Sequence, residues 1–228
     1  MVLLFELEGV IAETLPVRAA ALRSALQAEG IAATPEDAID LSRARSVRRA
    51  VAAAAHDART SYDLVTVDLV ASQAERHFAA AAAAGGITLT PGAVAFVRAA
   101  QAGARCGLVT RASRAEADLL LRLAGLEDAF ECVITHEDVV EEKPAPAPYR
   151  AALARLARKR GVAPGSAVAL EDGGDGARAA RAAGIVSLVV GPAPASEAVE
   201  ADGYLPGLEG ATMELVRALA ARAGATAS

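Results

Sequence analysis

Two closely spaced acidic pairs stand out among the residues able to do chemistry: Glu6 with Glu8, and Glu171 with Asp172. Between them in the chain lie Thr110, followed by Arg111, and Lys143, followed by Pro144. Lys143 gains weight from scarcity. Of 23 basic residues only Lys143 and Lys159 are lysines, and the rest are arginines. Carboxylates gathered at one place repel unless a cation sits among them, and hard oxygen ligands suit Mg2+. A lysine and a threonine hydroxyl suit the oxygens of a phosphate, so the set reads as equipment for phosphoryl transfer. A carboxylate can also be the covalent nucleophile toward phosphorus. Each residue taken alone has a plainer reading. Glu6 and Glu8 would be a solvated strand end, Lys143 a surface lysine, Thr110 a strand terminus, and Glu171 and Asp172 caps of the glycine turn that follows.

Whether these residues meet depends on the elements that carry them. The runs 2–7, 105–110, 131–135, 166–171 and 185–190 are short and apolar, with β-branched residues and no alternation with polar ones. Parallel strands covered by helices on both faces have this pattern. Helices are expected at 114–124, where Ser113 and Glu116 make a capping box, at 146–160, opening with Pro146 and Pro148, and at 175–183. Strands alternating with such helices imply an α/β fold with a Rossmann-like, doubly wound parallel sheet. Ligands bind such a sheet beyond the carboxyl ends of its strands. Glu6, Glu8, Thr110, Arg111, Glu171 and Asp172 all fall there, and Lys143 sits at the next helix start.

No comparable strand lies between Gly9 and Leu89. Helical text at 17–29, 36–57 and 63–83 fills the gap, with Leu64, Val67, Asp68 and Ala71 at helical spacing in the last. An insertion of about 75 residues is too long for a crossover and reads as a separate helical domain. The turn signal Thr90-Pro91-Gly92 marks the return. The expected boundaries are 1–14 with 90–228 for the α/β core and 15–89 for the smaller helical domain.

The 228 residues are 54% hydrophobic, but about a quarter of the chain is alanine, so Leu, Val and Ile must build the core. A net charge of −5 argues against nucleic acid as a partner. No apolar run approaches the length of a membrane span, and the first residues lack the basic start of a signal peptide. The expectation is a soluble, cytoplasmic protein with no membrane partner. Cys106 and Cys132 read as buried free thiols, and His56, His77 and His136 have no zinc or triad spacing. Arg45, Arg48 and Arg49 read as one face of a helix, solvated or substrate-binding. Oligomeric state is not legible in the sequence.

Four motifs carry a family resemblance: LLFELEGVIAET (3–14), GLVTRAS (107–113), EEKPAPAPY (141–149) and ALEDGGDGARAARAAG (169–184). In this order and spacing the chain resembles the haloacid dehalogenase-like superfamily. The branch is that of phosphoglycolate phosphatase and β-phosphoglucomutase, whose α-helical cap follows the first strand. The resemblance implies a Mg2+-dependent phosphatase acting on a small phosphorylated metabolite through a carboxyl-phosphate intermediate, with dehalogenation less consistent. By that resemblance Glu6 is the nucleophile and a metal ligand. Glu8 is the acid/base, its backbone carbonyl a metal ligand, and Glu171 and Asp172 complete the metal site. Thr110, the Arg111 amide and Lys143 hold the phosphoryl group. The family has Asp-x-Asp where this chain has Glu6 and Glu8, and each glutamate adds one methylene. A site adapted to glutamate, a phosphomutase, and an impaired fold member with a binding or regulatory role therefore remain distinct readings.

Overall fold

A computed structural model of the chain describes residues 1–58, 63–158 and 166–226. Lys159, and with it the end of the helix expected over 146–160, lies outside them. The elements begin with β1 (Val2–Phe5), β2 (Ala12–Glu13), α1 (Leu15–Ala28), α2 (Pro35–Ala44), α3 (Val47–Asp57), α4 (Leu64–Ala83) and β3 (Thr88–Leu89). Next come α5 (Ala93–Gln101), β4 (Arg105–Val109), α6 (Arg114–Leu123), β5 (Cys132–Ile134), a 3-10 turn (His136–Asp138) and α7 (Ala147–Ala157). The chain finishes with β6 (Ala167–Glu171), α8 (Gly174–Ala182), β7 (Val186–Val190), α9 (Ala195–Ala198), β8 (Gly203–Leu205) and α10 (Met213–Thr226). Two compact units result: Met1–Ala12 with Leu89–Ser228, and Glu13–Thr88.

The first unit holds a six-stranded sheet in the order β5-β4-β1-β6-β7-β8, every neighbouring pair parallel. The chain builds outward from β1 through β4 to β5, then crosses over to build β6, β7 and β8 on the other side. The order therefore reverses between β1 and β6, where open α/β sheets bind ligands. β8 is an edge strand that the sequence patterns do not indicate. It is three residues long, begins with glycine and leaves Tyr204 exposed, so no buried apolar run announces it.

Side chains alternate along each strand, and that alternation assigns the faces. Val2 and Leu4, with Ala167 and Ala169, share a buried core with Tyr149, Ala152 and Leu156 of α7 and Ala179 and Ala180 of α8. Phe5, of the opposite parity, meets Phe96 of α5 and Phe130 edge to face, centroids 6.2 and 5.7 Å away. Helices thus cover both faces. The capping box that starts α6 is present, with reciprocal Ser113 and Glu116 bonds. Cys106 and Cys132 are free and buried, and burial, with Glu131 nearby, pushes the Cys106 thiol up to about 12.

The second unit is helical. Leu22 and Leu26 of α1, Val47 and Val51 of α3, and Val67 and Val70 of α4 form its core with Ile31. The stretch 36–57 is not one helix. Arg45 and Ser46 are both extended, which ends α2 and lets Ser46 begin α3. Arg45 therefore does not share a helix face with Arg48 and Arg49, and Arg48 pairs with Asp68 of α4. The buried stripe of α4 runs through Val67, Ala71, Ala74 and Phe78. Leu64, expected on it, is 70% exposed, because the row that meets α1 and α3 begins one turn later. Among the described residues no helix is long and apolar enough to cross a membrane.

Candidate active site

Strand parity and register bring the first acidic pair to the second. Phe5 lies opposite Leu170, so the next residues along, Glu6 and Glu171, are neighbours at the carboxyl edge. The Glu6 N–H still donates to the Leu170 carbonyl at 2.9 Å, so Glu6 extends the row of Val2 and Leu4. Glu171 extends the row of Ala167 and Ala169. Both carboxylates consequently lie on the face covered by α7 and α8. Like charges at adjacent strand positions destabilise a sheet, more so when buried. Glu6 is 4% exposed and Glu171 fully buried.

Lys143 resolves the conflict. Its Nζ donates to Glu6 Oε2 at 2.6 Å, to Glu171 Oε1 at 2.6 Å and to the Val109 carbonyl at 2.8 Å. An ammonium has three protons, and all are used. Burial disfavours the Lys143 charge, but Glu171 and Glu6 outweigh it and raise the pKa. Burial likewise works against the Glu6 carboxylate. The Lys143 charge and hydrogen bond, then Thr110 and the Leu7 amide, hold it below its ordinary value. The Leu7 N–H donates to Glu6 Oε1 at 2.7 Å. Glu171 shifts the other way, raised by burial and by Glu6 despite Lys143. Asp172, pressed by burial and by Glu6, Glu171 and Glu8, rises well above the usual carboxylate range.

One carboxylate oxygen from each of Glu6, Glu171 and Asp172 lies within 4.8 Å of the others. Glu171 Oε2 is buried and, among the described residues, has no hydrogen-bond partner. An all-oxygen set with more negative charge than one lysine can balance, and a spare buried oxygen, fits a small hard divalent cation. Glu8 stands outside this three-residue group, half-buried, with its charge reaching Asp172. Two glycines keep the carboxylates in place. A Cβ at Gly176 would lie 1.9 Å from Glu171 Oε2. A Cβ at Gly9, where φ is +68°, would lie 2.8 Å from Asp172 Cβ.

Thr110 is buried at the end of β4, and its hydroxyl accepts from the Ala112 N–H at 3.2 Å. The Arg111 side chain ties neighbouring loops together. Its Nη2 donates to Asp175 Oδ2 at 2.9 Å and to the Lys143 carbonyl at 3.3 Å. Asp175 sits in the first turn of α8, where Gly173 is the N-cap. The Glu197 carboxylate accepts from the Gly174 N–H at 3.2 Å and lies where a side chain at position 173 would go. That neighbour leaves no room for a side chain at position 173 and accounts for the glycine there. Sequence reasoning missed Glu197, and it also missed Tyr149, fully buried in α7, whose hydroxyl donates to Glu171 Oε1. The available signal for Tyr149 was a rare aromatic six residues after Lys143 in a chain with 3 Tyr and no Trp.

The acid–lysine cluster lies at the switch point of a doubly wound parallel sheet, where open α/β folds form their ligand crevice. The family model for haloacid dehalogenase-like hydrolases matches residues 1–184, and the chain belongs to that family. The CbbY protein of Rhodobacter capsulatus is 30% identical over 192 residues, spanning 80% of this chain and 82% of its own. The plasmid CbbY protein of Cupriavidus necator is 37% identical over 128 residues. That match covers 54% of this chain and only about half, 49%, of the Cupriavidus protein. Crystalline CbbY of Rhodobacter sphaeroides, solved with phosphate, superposes with a TM-score of 0.79 at 28% identity, covering 91% of this chain and 94% of that one. A variant of the Rhodobacter sphaeroides protein has been solved with xylulose-1,5-bisphosphate.

Proposed function

We propose that this chain is a Mg2+-dependent phosphatase of a small phosphomonoester, a sugar phosphate or similar metabolite. The observation that carries the reading is Glu6: a buried carboxylate kept ionised by Lys143 beside an acidic cluster that favours a cation. The phosphate and sugar bisphosphate bound by the Rhodobacter sphaeroides relative support the substrate class. Glu6, Glu171 and Asp172 would hold Mg2+, with the Glu8 carbonyl as a further ligand. The ion supplies charge neutralisation of the phosphoryl oxygens.

In the first step a Glu6 carboxylate oxygen bonds to phosphorus, the bond to the leaving oxygen breaks, and Glu8 gives that oxygen its proton. In the second, water adds to phosphorus, Glu8 takes the water proton, and the bond to Glu6 breaks to release inorganic phosphate. Lys143, Thr110 and the Arg111 amide hold the phosphoryl oxygens. We read the helical unit Glu13–Thr88 as the family's cap.

The test is phosphate release from an aryl phosphate and a panel of sugar phosphates, with and without Mg2+. Wild type is expected to be Mg2+-dependent, and Glu6→Gln to lose more than about 1,000-fold in kcat. Release that survives Glu6→Gln overturns the assignment. One observation favours a second reading, a non-catalytic binding protein: all three Lys143 protons and both Glu6 oxygens already have partners within the chain. A silent wild type that gains activity as Glu6→Asp would establish it.

A further inference from the structure

Tyr149 lies fully buried in the first turn of α7 and touches two members of the site at once. Its hydroxyl donates to Glu171 Oε1, and the Lys143 ammonium lies 5.3 Å from its ring centroid. Glu171 Oε1 therefore receives two donors, the phenol and Nζ, while Oε2 receives none. Gly176 keeps open the space that Oε2 occupies. A carboxylate pinned through one oxygen, with the other buried and unbonded, is preset to give that second oxygen to a cation. Outer partners of this kind fix the orientation of metal-ligating carboxylates.

We infer that Tyr149 is a positioning residue, which aims Glu171 Oε2 at a divalent cation by holding Oε1. The inference rests on the metal reading proposed above and gives a role to Tyr149, the last residue of the motif 141–149, to which the resemblance attaches none. The phenol does not touch the phosphoryl group and transfers no proton. It also gives Glu171 a donor that stays in place when Lys143 engages a substrate oxygen.

Mn2+ binding followed by electron paramagnetic resonance, and Mg2+ binding by calorimetry, read this role without turnover. Tyr149→Phe keeps the ring and removes the donor, and is expected to weaken both ions by about 10- to 100-fold. Tyr204→Phe is the control, because that phenol bonds the Gly191 carbonyl on the sheet edge, and it should bind as wild type does. With substrate, Tyr149→Phe should lower kcat at limiting Mg2+ and recover at saturating Mg2+, with KM for the phosphomonoester unchanged. Ion affinity in Tyr149→Phe equal to wild type overturns the inference and leaves the phosphatase reading standing. A wild type that binds neither ion overturns both. Should Tyr149→Phe fail to fold, the chain's 3 Tyr and lack of Trp allow a direct reading. Mg2+ should perturb the tyrosine absorption of wild type and of Tyr204→Phe alike, and an unperturbed spectrum refutes the role.

Discussion

Replacing Lys143 by methionine isolates the charge that joins β1 to β6. The two side chains are unbranched and similar in bulk, so the cavity contribution is small and the lost ammonium dominates. Nζ lies 2.6 Å from a carboxylate oxygen on each side, and the lysine side chain is 1% exposed. At an effective dielectric of about 20, each contact contributes about 6 kcal/mol of gross attraction. Desolvation of the three ions offsets several kcal/mol per ion, so the net is far below the sum. Removing one partner from a buried ion pair costs about 3–5 kcal/mol, because the remaining charges keep their burial and lose their counterion.

The sign of the pH dependence follows from the same geometry. Without the Lys143 charge and hydrogen bond that oppose it, burial should carry Glu6 and Glu171 above their unfolded value of 4.5, with Glu6 adding to the rise of Glu171. The folded variant then binds protons that the unfolded chain has released, and its stability falls as pH rises through that window. In wild type Glu6 is lowered, so its contribution is present above 4.5 and is lost only as pH falls toward the lower folded value. The deficit of Lys143→Met should therefore be about 3–5 kcal/mol near pH 7.5 and at least about 1 kcal/mol smaller near pH 5. Native-state hydrogen exchange on peptides covering β1 and β6, in chelator, reports on the α/β unit alone. A deficit below about 1 kcal/mol at the higher pH, or one identical at both, would refute the ion-triad account.

Two further outcomes follow from the same cluster. Asp172 is raised well above its unfolded 3.8, so the metal-free protein loses stability as pH climbs from that value. Asp172→Asn should melt higher than wild type in chelator, by a margin that widens with pH, while binding Mn2+ more weakly. Equal melting temperatures at every pH would contradict this. Gly176→Ala places a Cβ 1.9 Å from Glu171 Oε2, and overpacking of this kind costs about 1–3 kcal/mol. Urea unfolding should show that loss together with weaker Mn2+ binding, and an unaffected midpoint would count against the packing.

Much of the α/β unit was legible because its signals are local. β1, β4, β6 and β7 are runs of four or five residues whose apolar character on both faces matches only a strand buried on both sides. Ser113 with Glu116 marks the start of α6 as surely in text as in space. Arg45 and Ser46 were not legible as a break, because arginine and serine carry no obligation to be extended. Leu64 and Leu69 were not legible as exposed, since an alanine-rich helix offers several apolar stripes and only its neighbours select one. Glu197 lies 24 residues past Gly173, on a four-residue helix, and no spacing rule connects them.

The chain by itself determined which chemistry was at hand: acids, one uncommon lysine and a hydroxyl, each just beyond an apolar run, in the order of a known family. That follows from local physics, since strand ends and turn residues are set within a few positions of one another. Tertiary structure decided which of these groups share charge. Parallel register placed Glu6 beside Glu171, although 164 residues separate them. Burial then forced Lys143 between them, set Glu6 and Asp172 to opposite protonation tendencies, and recruited Tyr149 from the first turn of α7. Electrostatics in a dry interior depends on separations of a few ångströms across distant segments, and no sequence pattern encodes those distances.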